Sequence, residues 1–554
     1  MPEGLTPFEE DLLAALSPTE FAHHCESLAD TLADTLPEGA ERDDDRALTY
    51  LRATLRGWGV AVTVHRFEAL ASEPGEAQFT LARRNAPVPA ITHPYSAATA
   101  PQGLTAELRP TAPETAPEDG LPGAIALVDG VPTSQSVARI AAEGALALVY
   151  ISPDETLRPA PVPNAGGDEA PAPVISIGRA AGEGFLALCA AGPTPVRLQA
   201  ASVWRRRRLA LPVATIPGVE EPHEYLVVGA RAVSNEAGVV DAAGLLELCR
   251  VLARHGRRLR RGVRFAWWPA GAAPVAGPIW YTDHAWEELA RHAVAYLDFH
   301  DLASGRMRGW WGQADDVLRP SSALALRDAG QTAVKWLAAS PAGLALPFTR
   351  LGIPAVTLAA RAGRRKPASE PRALVEALAI GVPLLARLCS YPVVPGDPGE
   401  VARAIEQRVL AVLDGLGDGV ELGPLRSRAA VFRAATERLQ IALLHLTQAS
   451  STNYEDGLEL ANRLLRRLNR LLLPVLRFAG DPYGPLPIAP ATVPLPGLDA
   501  ALAASALSDQ QAEPYASRLL VLAWRERNRT IIALDTAVEA IDEALSALRP
   551  LGFG

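Results

Sequence analysis

The hydrophobic pattern of the chain changes character three times. Residues 7–35 set apolar side chains at helical spacing, and "RALTYLRATLRGWG" (46–59) repeats this and stops at glycines, which predicts a helical lead-in. "VAVTVHRFEA" then alternates with a period of two and predicts a strand. From 85 to 203 the text is rich in Pro, Ala and Gly, with short β-type runs at "GAIALVDG" (123–130), "ALALVYIS" (145–152) and "APVISIG" (172–178). A helix, "SQSVARIAAEG", lies between the first two, so this stretch predicts a small α/β unit. After "VWRRRRLALP" the strands "YLVVGA", "GVRFAWWP", "AVAYLDF" and "IPAVTLAA" alternate with the helices "DAAGLLELCRVLARHG" and "HAWEELARH". That alternation predicts an α/β fold, a mostly parallel sheet with helices on both faces. From 398 onward strand patterns cease. Residues 455–478 and 515–548 are long amphipathic helices on either side of a Pro-rich connector (481–498).

Length and charge narrow the picture. A chain of 554 residues exceeds one core. Its net charge of −9 gives no general attraction for polyanions. Lys335 and Lys366 are the two lysines among 53 basic residues, a bias that reads as bacterial genome composition. The runs "RRRR" (205–208) and "GRRK" (363–366) are short enough to be solvated, so no nucleic-acid partner is expected. Cys25, Cys189, Cys249 and Cys389 are far apart and read as small buried hydrophobes. "MPEGLTPFEEDLLAAL" lacks the pattern of a signal peptide, and no charge-free apolar run of about 18 residues stands out. The expectation is a cytoplasmic protein with no membrane span.

The order of "PGAIALVDG…AAEGALALVYIS…PAPVISIG", then "LPVATIPG…EYLVVGA", then a helical region resembles the zinc-dependent exopeptidase superfamily. That superfamily includes bacterial aminopeptidases, glutamate carboxypeptidase II and the transferrin receptor. The resemblance implies a phosphorylase/hydrolase-like sheet, with a helical lead-in and first part of the exopeptidase-like domain at 1–84. It implies a protease-associated insert at 85–204, the exopeptidase-like α/β domain at 205–397, and an all-helical, dimerisation-like domain at 398–554.

The family's chemistry uses two zinc ions about 3.5–4 Å apart, bridged by a carboxylate, and a separate glutamate as base. The resemblance implies five places for these groups. The family's strand motif His-x-Asp falls on Arg231 and Val233 in "GARAVS". The bridging acid is kept as Asp241. Phe265, Trp268 and Gly277 set the register of the Glu-Glu pair, which falls on Gly271 and Ala272. The strand-end acid falls on His300, with Asp298 at the preceding Asn position and Asp301 beside it. A late histidine is missing, since none occurs between His300 and His445.

These replacements imply a catalytically degenerate relative with no cofactor, resembling the transferrin receptor in its lost di-zinc site. The alternative is a metallo-aminopeptidase or carboxypeptidase whose remodelled zinc site uses Asp241 and His300. Three readings of residues follow. Asp241 caps the helix "AAGLLELCRVL" and pairs with Arg231. His23-His24 and His223-Glu224 are surface residues, the latter on a loop. "GWWG" (309–312) and Trp267-Trp268 are core or cleft-wall aromatics. The expected partners are a second copy through the C-terminal helices and a peptide or small anionic ligand in the cleft. No G-x-S-x-G elbow, P-loop or G-x-G-x-x-G motif offers other chemistry.

Overall fold

The structure, a computed structural model, describes residues 4–33, 46–82, 87–112, 120–162, 164, 169–232, 236–269, 275–300, 302, 310–330, 334–337, 343–360, 371–416, 421–448, 453–480, 493–505 and 513–553. Its strands are β1 (Ala61–Leu81), β2 (Ala90–Thr92), β3 (Leu104–Thr111), β4 (Ile125–Asp129), β5 (Ala147–Ile151), β6 (Val174–Ile177) and β7 (Pro195–Ile216). They continue as β8 (Glu221–Arg231), β9 (Arg261–Trp268), β10 (Ala293–His300), β11 (Trp310–Ala314), β12 (Val334–Trp336) and β13 (Ala355–Ala360). One path joins them in the order β12-β11-β13-β10-β8-β9-β7-β3-β4-β5-β6-β2, with β1 paired to β7.

The predicted parallel core is present: β9, β8, β10 and β13 run parallel in that spatial order. β4, β5 and β6 form a second parallel set, with the helix Ser134–Ala142 between β4 and β5. The two sets are not separate sheets. β1 and β7 make an antiparallel ribbon of 21 and 22 residues that belongs to both, a length the sequence reading broke at "VWRRRRLALP". The arginine run lies within this ribbon, where Arg205 (3.2 Å) and Arg207 reach Glu73 across the strands. A bulge between Pro74 and Ala77 bends the ribbon. Gly75 sits there because a Cβ would lie 2.5 Å from the carbonyl oxygen of Ala201.

Alternation decides which side chains enter which core. Val228, Ala230, Trp267, Leu297 and Phe299 face the helix Glu236–Arg254 and the N-terminal helices. Val227, Trp268 and Tyr296 face the opposite layer with the helix Ala276–His284. From Pro398 onward every described element is helical, including Pro398–Gly415, Gly423–Gln448, Tyr454–Arg477 and Glu513–Leu548.

Buried and half-buried arginines tie these layers together. Arg466 and Arg261 both reach the buried Glu224, and Arg477 reaches Asp315 and Asp316. Arg470 is half-buried and donates to the carbonyls of Leu289, Ala290, Ala293 and Gly352. At the other end of the chain Arg387 pairs with Glu9 at 2.7 Å. The segment Pro371–Ser390 is long and apolar enough to cross a membrane, but it carries Arg372, Glu376 and Arg387 and is mostly buried within the main core.

Candidate functional site

The carboxyl ends of β8, β9, β10 and β13 gather at one edge, where open α/β sheets place their ligands. Registers fix which residues meet there. Gly229 pairs with Asp298 and Arg231 with Trp268, so Arg231, Gly229, Trp268, Tyr296 and Asp298 share one face. The indole of Trp268 donates to the Tyr296 hydroxyl at 3.0 Å. Gly229 makes room for that pair, because a Cβ would collide with the indole nitrogen and lie 2.6 Å from the hydroxyl. Burial holds the Tyr296 hydroxyl well above its ordinary range, and the charge of Asp298 adds to this. The Trp268 hydrogen bond and the Arg231 cation pull it the other way. Arg231 is exposed at the strand end, while Asp298, at the family's Asn position, is 3 % exposed.

Asp241 lies elsewhere than expected. Its helix is described from Glu236, five residues earlier, so Asp241 is inside the helix and does not cap it. "EAGVV" forms the first turn of this helix, ahead of Asp241. Asp241 is 1 % exposed and its Oδ1 accepts the N–H of Leu302 at 3.2 Å, which ties the helix to the end of β10. The helix packs on the face opposite Trp268 and Tyr296, so an Arg231–Asp241 pairing would have to cross the strand ends. Val233, Gly271, Ala272 and Asp301 lie outside the described residues, as does the side chain of His300. Residues 361–370 after β13, where the late histidine would fall, lie outside them too.

Zinc is the group that the resemblance implies, and the first of its ligand positions does not fit it. At the first ligand position stands a guanidinium, which cannot donate a lone pair. Among the described residues no group of three or more His, Cys, Asp or Glu side chains could hold a metal ion. Trp268 is expected from the sequence as a core or cleft-wall aromatic, whereas no motif marks Tyr296 or Gly229. Counting back two residues from Arg231 and from Asp298 reaches Gly229 and Tyr296, a period-two signal that could have found them.

Other candidate groups prove structural. His24 is buried rather than on the surface, and burial, together with His23, lowers it to about 4. Glu224 is buried in β8, not on a loop. His93 and Ser176 approach at 2.8 Å, but the Ala160 N–H donates to Nδ1. Nε2 must therefore donate to the serine, the wrong tautomer for a base that activates a hydroxyl. Trp310, Trp267 and Trp268 are core aromatics, as expected.

Comparison with known proteins places this arrangement. No protein-family model matches the chain, and no curated protein matches it. A peptidase M28 precursor from Shewanella amazonensis SB2B superimposes with a TM-score of 0.51 at 18% identity, covering 70% of this chain and 97% of that one. The zinc aminopeptidase BSAP from Bacillus subtilis (TM-score 0.49, 17% identity) covers 68% of this chain and 95% of its own. The aminopeptidase from Aneurinibacillus sp. strain AM-1 has the same identity and coverage with a TM-score of 0.47. The fold is that of the peptidase M28 precursor. Within that fold, this chain carries Arg231 at the strand end where the resemblance places a zinc-binding histidine.

Proposed function

We propose that the chain is a catalytically degenerate zinc-exopeptidase homologue that works as a binding or assembly protein. The observation that carries this reading is Arg231. A fixed cation at the carboxyl end of β8, on the same face as the buried Asp298, supplies from the protein a charge that the superfamily's chemistry takes from metal. With Gly271 and Ala272 at the Glu-Glu positions, no base is left to activate water. The cleft is then suited to a peptide or small anion held by Arg231.

The same reading takes 85–204 as a protease-associated insert and 398–554 as a dimerisation region. Support for a second copy comes from Val521, Trp524 and Ile532, exposed apolar residues at helical spacing on Glu513–Leu548. Light scattering on the full chain should then give twice the monomer mass. The functional test is hydrolysis of amino-acyl nitroanilides by the purified chain with zinc supplied. The expected result is no turnover above a denatured control. Turnover that disappears in Asp241→Ala would overturn the reading.

A further inference from the structure

We infer that the opposite end of the sheet carries a binding site for a planar anion, an aromatic ring bearing a phosphate or carboxylate. It is separate from the cleft, because β8 has 11 residues and its amino end lies roughly 35 Å from Arg231. There a hollow of about 520 Å³ opens between the end of the helix Arg46–Gly57, the turn joining β7 to β8, and the last turn of the helix Glu236–Arg254. Trp58, Ile216, Pro217 and Val219 form its apolar wall. The Trp58 indole is held edge-on against His24, with ring centroids 5.6 Å apart, and Val219 is 60 % exposed.

Arg254, Arg257 and Arg258 border the same hollow. Neighbouring arginines are engaged: Arg258 bonds Asp11 at 2.5 Å and lies over Phe8, Arg260 reaches Glu220, Glu221 and Glu455, and Arg261 reaches Glu224. Arg254 and Arg257 are exposed and join no ion pair among the described residues. In a chain of net charge −9, two uncompensated guanidiniums beside one hollow make a local reversal of the field. The carbonyl end of the helix explains why basic residues are tolerated here. It does not explain the indole-walled space that they border. That space falls in the range of small-molecule sites. Guanidinium forks match phosphate or carboxylate oxygens, and an aromatic body stacks on indole and proline.

The test is calorimetric titration of the full chain with phenyl phosphate and with phthalate, against inorganic phosphate and phenol. One of the two aromatic anions should bind saturably, one per chain and about tenfold more tightly than either fragment. Which one binds assigns phosphate ester or carboxylate. Arg254→Ala/Arg257→Ala should weaken binding about tenfold or more with an unchanged melting curve, since both side chains are exposed. No saturable binding of either probe would overturn the inference, as would binding that survives the double substitution. Inorganic phosphate as tight as phenyl phosphate would also refute it, because the apolar wall would then contribute nothing.

Discussion

Arg470 offers a sharp test of how the C-terminal helices are attached. Its half-buried guanidinium, on Tyr454–Arg477, donates to four backbone carbonyls, those of Ala290 and Gly352 at 3.0 Å, Leu289 at 3.1 Å and Ala293 at 2.8 Å. Three of these lie at the carboxyl end of the helix Trp286–His292, where carbonyls run short of helical partners, although Leu289 also accepts the Ala293 N–H. Burial, with a smaller contribution from Arg466, lowers the guanidinium from its ordinary range to about 10. Holding the charge there therefore costs on the order of 3 kcal/mol. Each charged hydrogen bond returns about 1.5–3 kcal/mol. Arg470→Met removes the charge but takes a donor from each of four carbonyls, and the bonds outweigh the relief by at least about 3 kcal/mol. Equilibrium urea unfolding followed by circular dichroism should show that loss. Arg470→Lys, with three donors on a narrower head, should fall between wild type and Met. A loss below about 1 kcal/mol for Arg470→Met would refute the reasoning, because the carbonyls would then be satisfied without the arginine.

Three further outcomes follow from the same interior. Glu224→Ala leaves Arg261 and Arg466 facing one another without their shared carboxylate and should cost about 3–5 kcal/mol in urea unfolding, well beyond Glu224→Gln. His24 and His93 are held neutral, each lowered mainly by burial to about 4, while the unfolded chain takes up those protons near 6.5. Stability is therefore full above about pH 6.5 and falls as the pH drops toward 4, by up to about 3 kcal/mol per histidine, then levels off. His93→Gln, which can still accept from Ala160 and donate to Ser176, should flatten that fall in urea midpoints measured across the window; an unchanged pH profile would count against it. Gly229→Ala drives a methyl into the Trp268–Tyr296 pair and should cost about 1–3 kcal/mol and shift tryptophan fluorescence.

The strands that carry the site were legible because their patterns are strong. "YLVVGA", "RFAWW" and "AVAYLDF" are buried on both faces, and such near-continuous apolar runs identify parallel strands. Two kinds of feature escaped. Residues 195–216 form one strand through four arginines, because cross-strand glutamates and the β1 ladder compensate charges that local text marks as a break. The helix carrying Asp241 starts earlier than its apolar stripe, since "EAGVV" supplies turns without the capping signal that was assigned to Asp241. The burial of His24 and Glu224 was equally hidden, because each depends on partners far along the chain, among them Tyr50 and Arg466. In the site, the replacement of ligands was readable residue by residue. The Trp268–Tyr296 bond over Gly229 required the register of three strands.

If, as proposed, Arg231 stands in for metal at the carboxyl edge of this sheet, the chain should hold no zinc of its own. Elemental analysis of the chain, purified without chelators and dialysed against zinc, measures this. The expected result is zinc well below one equivalent per chain. Two tightly held equivalents, reduced by Asp241→Ala, would contradict it.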